Sequence, residues 1–255
     1  MHKALKILIT DIILLALVIG IFHYVGGIKL IRQSVENYRQ HKAEKAAAEE
    51  AKKADEQKVE DIDAGAVDTG EWSLLLVNPW NEIPEGYVDS IETVETEGGY
   101  EVDSRVKESL EDMLADCREA GNDPVIISAF RSRETQQHLY DTTANKNDTA
   151  VPGTSEHECG LAIDIIDSSS SGWADPLIKE QEELPAQKWL MENCQNYGFI
   201  LRYPEDKEDI TGIIYEPWHY RYVGEEHAKK IMEGGQCLEE YLRKIDNDKE
   251  KIQSN

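Results

Sequence analysis

The sequence predicts an α+β fold carried behind a transmembrane helix and a charged helical stalk. Three observations lead there. Ile7 to Ile28 is a nearly continuous apolar run, long enough to cross about 30 Å of hydrocarbon. Residues 29–70 are rich in Ala, Glu and Lys and carry no repeating stripe of large apolar side chains. From residue 71 onward, helical and strand patterns follow one another without regular βα alternation, which fits α+β better than a doubly wound sheet.

Lys3 and Lys6 precede the apolar run, and Lys29 and Arg32 follow it, so the charge bias toward an inside amino terminus is weak. No small-residue cleavage pattern follows, and residues 1–28 read as a retained anchor. Asp11 lies near one end of the span, where its cost is small. The stretch "RQHKAEKAAAEEAKKADEQKVED" reads as an exposed helix or semi-rigid spacer. A coiled coil would need large apolar residues at heptad spacing. The soluble domain is expected over residues 71–245, with a polar tail at 246–255.

Within that domain "WSLLLVNPWNEIP" opens the fold. Val106, Leu110, Met113, Leu114 and Cys117 form a helical stripe, with Asp103 or Ser104 as cap and Gly121 as stop. "PVIISAF" and "LAIDII" read as strands, and "RETQQHLYDTTANK" as a helix between them. "AQKWLMENCQNYGF" is an amphipathic helix closed by Gly198. "GIIYEPWHYRYVG" reads as a strand pair or a strand bent at Pro217, and "EEHAKKIMEGG" and "CLEEYLRKI" as closing helices.

The acidic excess falls on residues 29–255, which hold 25 basic and 50 acidic side chains. That balance argues against nucleic acid and anionic lipid headgroups as partners. The four cysteines, Cys117, Cys159, Cys194 and Cys237, all follow the apolar run. With no Cys-x-x-Cys pair, a zinc knuckle is not indicated. Cys194 and Cys237, each on a late amphipathic helix, are expected to pair.

Of the seven histidines, His2, His23 and His41 precede the domain. His138 and His227 read as packing or solvated side chains on helices. His157 lies on a loop entering a strand on which Leu161, Ile163 and Ile165 share one face and Ala162, Asp164 and Ile166 the other. An aspartate amid such a strand is costly unless paired. Downstream, His219, Arg221 and Val223 share one face, and Glu216 stands just before Pro217. Two histidines, an aspartate and a spare glutamate have the composition of a catalytic zinc site; a turn cap or an arginine partner would equally account for Asp164. The rival nucleophiles are weaker. Ser104 to Lys107 fits Ser-x-x-Lys without a Lys-Thr-Gly, Ser155 is not in a Gly-x-Ser-x-Gly elbow, and Cys159 alternates away from His157.

"SEHECGLAID" matches at every fixed position the Ser-x-His-x-x-Gly-x-Ala-x-Asp signature of the zinc D-alanyl-D-alanine carboxypeptidases of the VanY type. "EPWHYRY" resembles their Glu-x-Trp-His block and "SAFRSRETQ" their Ser-x-x-Arg-Ser block; the resemblance covers about residues 73–245. It implies a small α+β domain whose antiparallel sheet carries one Zn2+. His157, Asp164 and His219 would be its ligands, Glu216 the catalytic base, and Arg131 the group that polarises the scissile carbonyl and binds substrate. Gln136 and Ser155 match positions that contact substrate. Cys159 fills a variable slot. The resemblance further implies a peptidoglycan stem peptide as partner, and the anchor and stalk fit that: they would hold the catalytic domain outside the bacterial cell membrane as a single-pass protein, expected to be monomeric. L,D-carboxypeptidase or D,D-dipeptidase specificity, and a wall-binding module without catalysis, remain the alternatives.

Overall fold

The computed structural model describes residues 70–146 and 149–253. The expected anchor, and the stalk up to residue 69, lie outside the described residues. No helix among the described residues is long and apolar enough to cross a membrane.

Six strands among these residues form two antiparallel sheets. β1 (Thr93–Glu95) and β2 (Glu101–Asp103) make a small hairpin. The larger sheet has the order β3-β4-β6-β5, with β3 at Pro124–Ser128, β4 at Ala162–Asp167, β5 at Phe199–Leu201 and β6 at His219–Tyr222. Pro124 opens an edge strand, where its missing N–H costs no ladder bond. All six residues of β4 are buried, as expected for a central strand covered on both faces.

One face of the sheet closes on the main core. Ile126, Leu161, Ile163, Ile165, Phe199 and Tyr220 pack there with Leu110, Met113, Leu114 and Cys117. Those last four are the buried stripe of α2 (Lys107–Glu119), which follows a short α1 (Tyr87–Ser90). α3 (Arg133–Thr142) leads from β3 toward the loop before β4, and α4 (Pro185–Asn193) adds Ala186 and Leu190 to the core. A short α5 (Glu208–Thr211) precedes β6. A second apolar cluster unites Leu74, Leu76, Ile200 and Val223 with α6 (Glu225–Glu233) and α7 (Leu238–Gln253). Phe199 and Ile200, neighbours on β5, thus face the two different clusters, following the period of two.

Several expectations need correction. α2 has Val106 at its N-cap position and no side-chain cap, because the Asp103 carboxylate instead accepts the Arg105 backbone N–H and guanidinium. The segment around Pro217 is not a strand pair. Glu216 to Trp218 form a tight turn, closed by the His219 N–H donating to the Glu216 carbonyl at 3.2 Å, and only His219–Tyr222 is extended. α7 runs through the expected tail to Gln253. All four thiols are free and buried. Cys194 belongs to the main core with Cys117 and Cys159, and Cys237 lies outside it at the head of α7. His227 is held between the Tyr241 hydroxyl at 2.7 Å and the Glu71 carboxylate at 2.8 Å, so it ties α6 to α7 and to the start of the fold.

At the end of β4, Asp167 joins two elements. Its Oδ1 accepts from the Ser169 N–H at 3.0 Å, and its Oδ2 from the Ala186 N–H in the first turn of α4 at 3.0 Å. Burial raises its carboxyl, but the bonds from Ser169 and Ala186 outweigh that and hold it below the ordinary value. A depressed carboxyl adds stability that is present above its unfolded value, near 3.9, and lost as pH falls through the folded one. Asp167→Ala is expected to cost about 1–3 kcal/mol at neutral pH. Urea titrations of both proteins from pH 7 down to pH 3 should show the gap narrowing in acid; a constant gap would mean that the charge plays no part.

Candidate active site

The register of the central strands sets the site. β4 and β6 pair so that Asp164 lies directly opposite His219, which brings their side chains onto the same face. His157 reaches that face from a 3-10 turn, Glu156–Cys159, that ends three residues before β4. Gly160 makes the connection. Its φ is +70°, and a Cβ there would stand 2.9 Å from the Asp103 backbone nitrogen. That backbone N–H donates to the Gly160 carbonyl at 3.0 Å. The left-handed glycine turns the chain from the 3-10 turn into the strand, so residues seven apart converge.

Nitrogen and oxygen atoms of His157, Asp164 and His219 lie within 4.8 Å of one another, all buried. His157 Nε2 is 3.2 Å from Asp164 Oδ2, and His219 Nδ1 is 3.1 Å from Asp164 Oδ1. The two imidazole rings stand nearly perpendicular, with centroids 5.0 Å apart. His157 Nδ1 lies 2.8 Å from the Ala129 carbonyl. A carbonyl only accepts, so the ring proton sits on Nδ1 and the Nε2 lone pair turns inward. Asp164 Oδ1 is buried and accepts no aligned hydrogen bond. Two inward nitrogens and a carboxylate short of donors suit a divalent cation, and they are the donor types of a catalytic zinc site with a remaining open position.

Electrostatics agree with the geometry. Burial raises the Asp164 carboxyl, but the two histidines beside it hold it well below the ordinary range. Burial lowers His157. Burial also acts to lower His219, yet its contacts with Asp164 and Glu156 push it up to about 9. The carboxylates that draw a proton to His219 would equally draw a metal ion.

Glu216 sits beside this group, its Oε2 3.6 Å from His219 Nδ1. Burial, opposed by His219 but aided by the Asp164 charge, lifts its carboxyl to about 7. Its side chain keeps 21% of its exposure, so it still opens to solvent. Arg131 follows β3 and is fixed by its backbone N–H donating to the His157 carbonyl at 3.2 Å. Burial lowers its guanidinium from the ordinary value, while Asp164 and Glu216 act to raise it. Its Nε has no hydrogen-bond partner. Gln136, buried on α3, donates through Nε2 to the Ala150 carbonyl at 2.8 Å and leaves Oε1 without a partner. Ser155 is buried just before the 3-10 turn, where its carbonyl accepts from the Glu158 N–H. Cys159 is buried with its thiol pushed up to about 12, chiefly by burial, which makes it a poor nucleophile.

Sequence reasoning missed what lies behind His219. Glu156 Oε2 is 3.4 Å from His219 Nε2, and Glu156 Oε1 accepts from both Arg202 and Arg221 at 2.7 Å. Tyr203 packs its ring against His219, with centroids 4.8 Å apart. The one available signal was the shared face of His219 and Arg221.

An antiparallel sheet with a buried His-Asp-His group, a glutamate lifted toward neutrality and a half-buried arginine define a metal-dependent hydrolase. Residues 99–225 match the family model VanY, D-alanyl-D-alanine carboxypeptidase. A D-alanyl-D-alanine carboxypeptidase of Enterococcus faecalis is 42% identical over 191 residues, covering 69% of this chain and 67% of that protein. The crystal structure of a VanY D,D-pentapeptidase variant from a VanB-type resistance cassette, in complex with Zn(II), is similar at 40% identity with a TM-score of 0.58. It covers 68% of this chain and 99% of that one. VanYB in complex with D-alanine-D-alanine is similar at 41% identity and TM-score 0.58, over 68% of this chain and 98% of that one. The chain belongs to the VanY D-alanyl-D-alanine carboxypeptidase family.

Gly160 tests the local geometry. Gly160→Ala must place a Cβ in the left-handed region, at about 1–2 kcal/mol, and also against the Asp103 backbone. Thermal melting is expected to show at least that loss, with weakened zinc binding in a chelator titration. Unchanged values would show that the turn tolerates an L side chain.

Proposed function

We propose that this protein is a membrane-anchored zinc carboxypeptidase that removes the terminal D-alanine from peptidoglycan stem peptides ending in D-Ala-D-Ala. The observation that carries the reading is the pairing of Asp164 with His219 across β4 and β6, with His157 beside them and Glu216 3.6 Å from His219 Nδ1. His157, Asp164 and His219 would hold the zinc ion. Bound zinc lowers the pKa of water toward about 7 and polarises a carbonyl.

The protein's own groups supply the rest. Glu216 takes a proton from the attacking water; a carboxyl near 7 suits that exchange close to neutral pH. Glu216 then returns the proton to the departing amine. Arg131, half-buried beside the site, binds the scissile carbonyl and holds the negative charge that develops on its oxygen. The partnerless Arg131 Nε and Gln136 Oε1 are buried polar atoms of the kind a peptide substrate would satisfy, and Ser155 borders the same turn. The apolar run Ile7 to Ile28 supports a single-pass anchor in the bacterial cell membrane, with the domain outside.

The substrate is tested with defined stem peptides and mass spectrometry. A pentapeptide ending in D-Ala-D-Ala is expected to lose one D-alanine. Cleavage of a tetrapeptide alone would assign L,D-carboxypeptidase activity, release of the dipeptide would assign a D,D-dipeptidase, and no product would favour a binding module.

Three variants separate the roles. Glu216→Gln is expected to keep zinc and fold while turnover falls by about 10²–10⁴-fold. His219→Ala should lose zinc and activity together, and Arg131→Ala should keep zinc and lose rate. Zinc content, melting temperature and turnover are to be measured side by side. Near wild-type turnover in Glu216→Gln would remove that residue from the mechanism, and loss of metal would make it a ligand.

A further inference from the structure

Glu156 occupies a position that the family signature leaves open. We propose that Glu156 is a positioning residue for the metal centre: it accepts a hydrogen bond from the His219 Nε2–H, so that Nδ1 is the nitrogen turned toward the metal, and two buried arginines hold it in that place. The proposal rests on the metal reading of the site.

The 3-10 turn Glu156–Cys159 delivers two adjacent side chains to the two histidines' surroundings. His157 enters the metal group itself. Glu156 passes behind His219, with Oε2 3.4 Å from Nε2 while Nδ1 faces Asp164 at 3.1 Å. An ionised carboxylate only accepts, so this contact places the ring proton on Nε2. His157 shows the mirror arrangement, its Nδ1 on the Ala129 carbonyl and its Nε2 inward. Each ring is therefore fixed by an acceptor on its outer nitrogen, and the two present different nitrogens to the same point.

Glu156 is itself fixed. Its Oε1 accepts from Arg202 Nε and Arg221 Nη1, both at 2.7 Å, which leaves Oε2 for the histidine. Arg202 is gripped on its other edge by both oxygens of Glu239, at 2.7 and 2.9 Å. Arg221 Nη2 donates to the Ser73 and Leu75 carbonyls at 3.1 and 2.7 Å. Both arginines are fully buried and Glu156 is 1% exposed. Two guanidinium groups on one carboxylate oxygen balance its negative charge, so Glu156 meets the histidine as an acceptor. An anion on the outer nitrogen also makes a histidine a better donor, and removing such a partner typically costs 10–100-fold in metal affinity.

The test uses the full chain. Wild-type protein labelled with 15N-histidine and loaded with Cd2+ is expected to show cadmium coupling to His219 Nδ1 and a slowly exchanging proton on Nε2. Glu156→Gln, measured by chelator competition, should bind zinc 10–100-fold more weakly and exchange that proton faster. Coupling through Nε2, or wild-type zinc affinity in Glu156→Gln, would overturn the proposal while leaving the metal reading intact. Should Glu156→Gln fail to fold, the wild-type spectrum decides alone. A wild-type protein that binds neither metal refutes the site reading, and this proposal with it.

Discussion

An ionised carboxylate in the middle of a sheet is the constraint on which the rest of the structure depends. Asp164 lies within the central strand between Ile163 and Ile165, both fully buried. A bare carboxylate there would carry a desolvation penalty of several kcal/mol. Two imidazoles within 3.2 Å offset it. Every nearby feature serves that convergence. The antiparallel register sets His219 opposite, the left-handed Gly160 swings His157 round, and the Ala129 carbonyl fixes which nitrogen His157 turns inward. The sheet's other face, rich in Leu, Ile, Phe and Tyr, supplies the rigidity.

Behind the metal group lies a layer of charge sealed from water: Glu156, Arg202, Arg221 and Glu239. Such a layer gives little net stability over well-packed apolar residues, but removing one member is costly, about 3–5 kcal/mol, because it strands the others. Asn78 extends the layer, donating to Glu239 at 3.1 Å while its carbonyl gathers the Trp80 and Asn81 backbone N–H groups. Segments far apart in the chain are thus joined by directional bonds as well as by apolar contact.

The sequence carried the strands and the His-Asp-His group because both leave local marks. Period-two alternation in "LAIDII" and "HYRY" set Ile163 apart from Asp164 and His219 apart from Tyr220, and in the structure Ile163 and Tyr220 lie in the core while Asp164 and His219 pair opposite each other. A lone aspartate in an apolar strand flagged a partner. What was not legible was long-range or cooperative. Nothing near Glu156 announces that Arg202 and Arg221 will meet it, since they lie 46 and 65 positions further along the chain. Ser104 had the composition of a helix cap, but Asp103 was drawn to Arg105 and the helix began later. The expected cysteine pair failed because helical amphipathicity says which face is buried, not which buried faces meet. Pro217 read as a bend in a strand because its restriction of Glu216 was visible, while the turn closed by His219 was not.

The buried arginines bear on where this domain can be cut. The stretch that matches the family model, residues 99–225, contains the whole metal group. It omits Ser73 and Leu75, whose carbonyls receive Arg221, and Glu239, which receives Arg202. It also omits Trp72, which stacks on Tyr222 at 5.7 Å and lies under the Arg105 guanidinium. Excised alone, that stretch would keep its chemistry on paper while leaving two interior cations short of acceptors. The network that satisfies these arginines therefore reaches from Ser73 to Glu239 in the last helix, and the His-Asp-His group is a passenger on a larger folding unit.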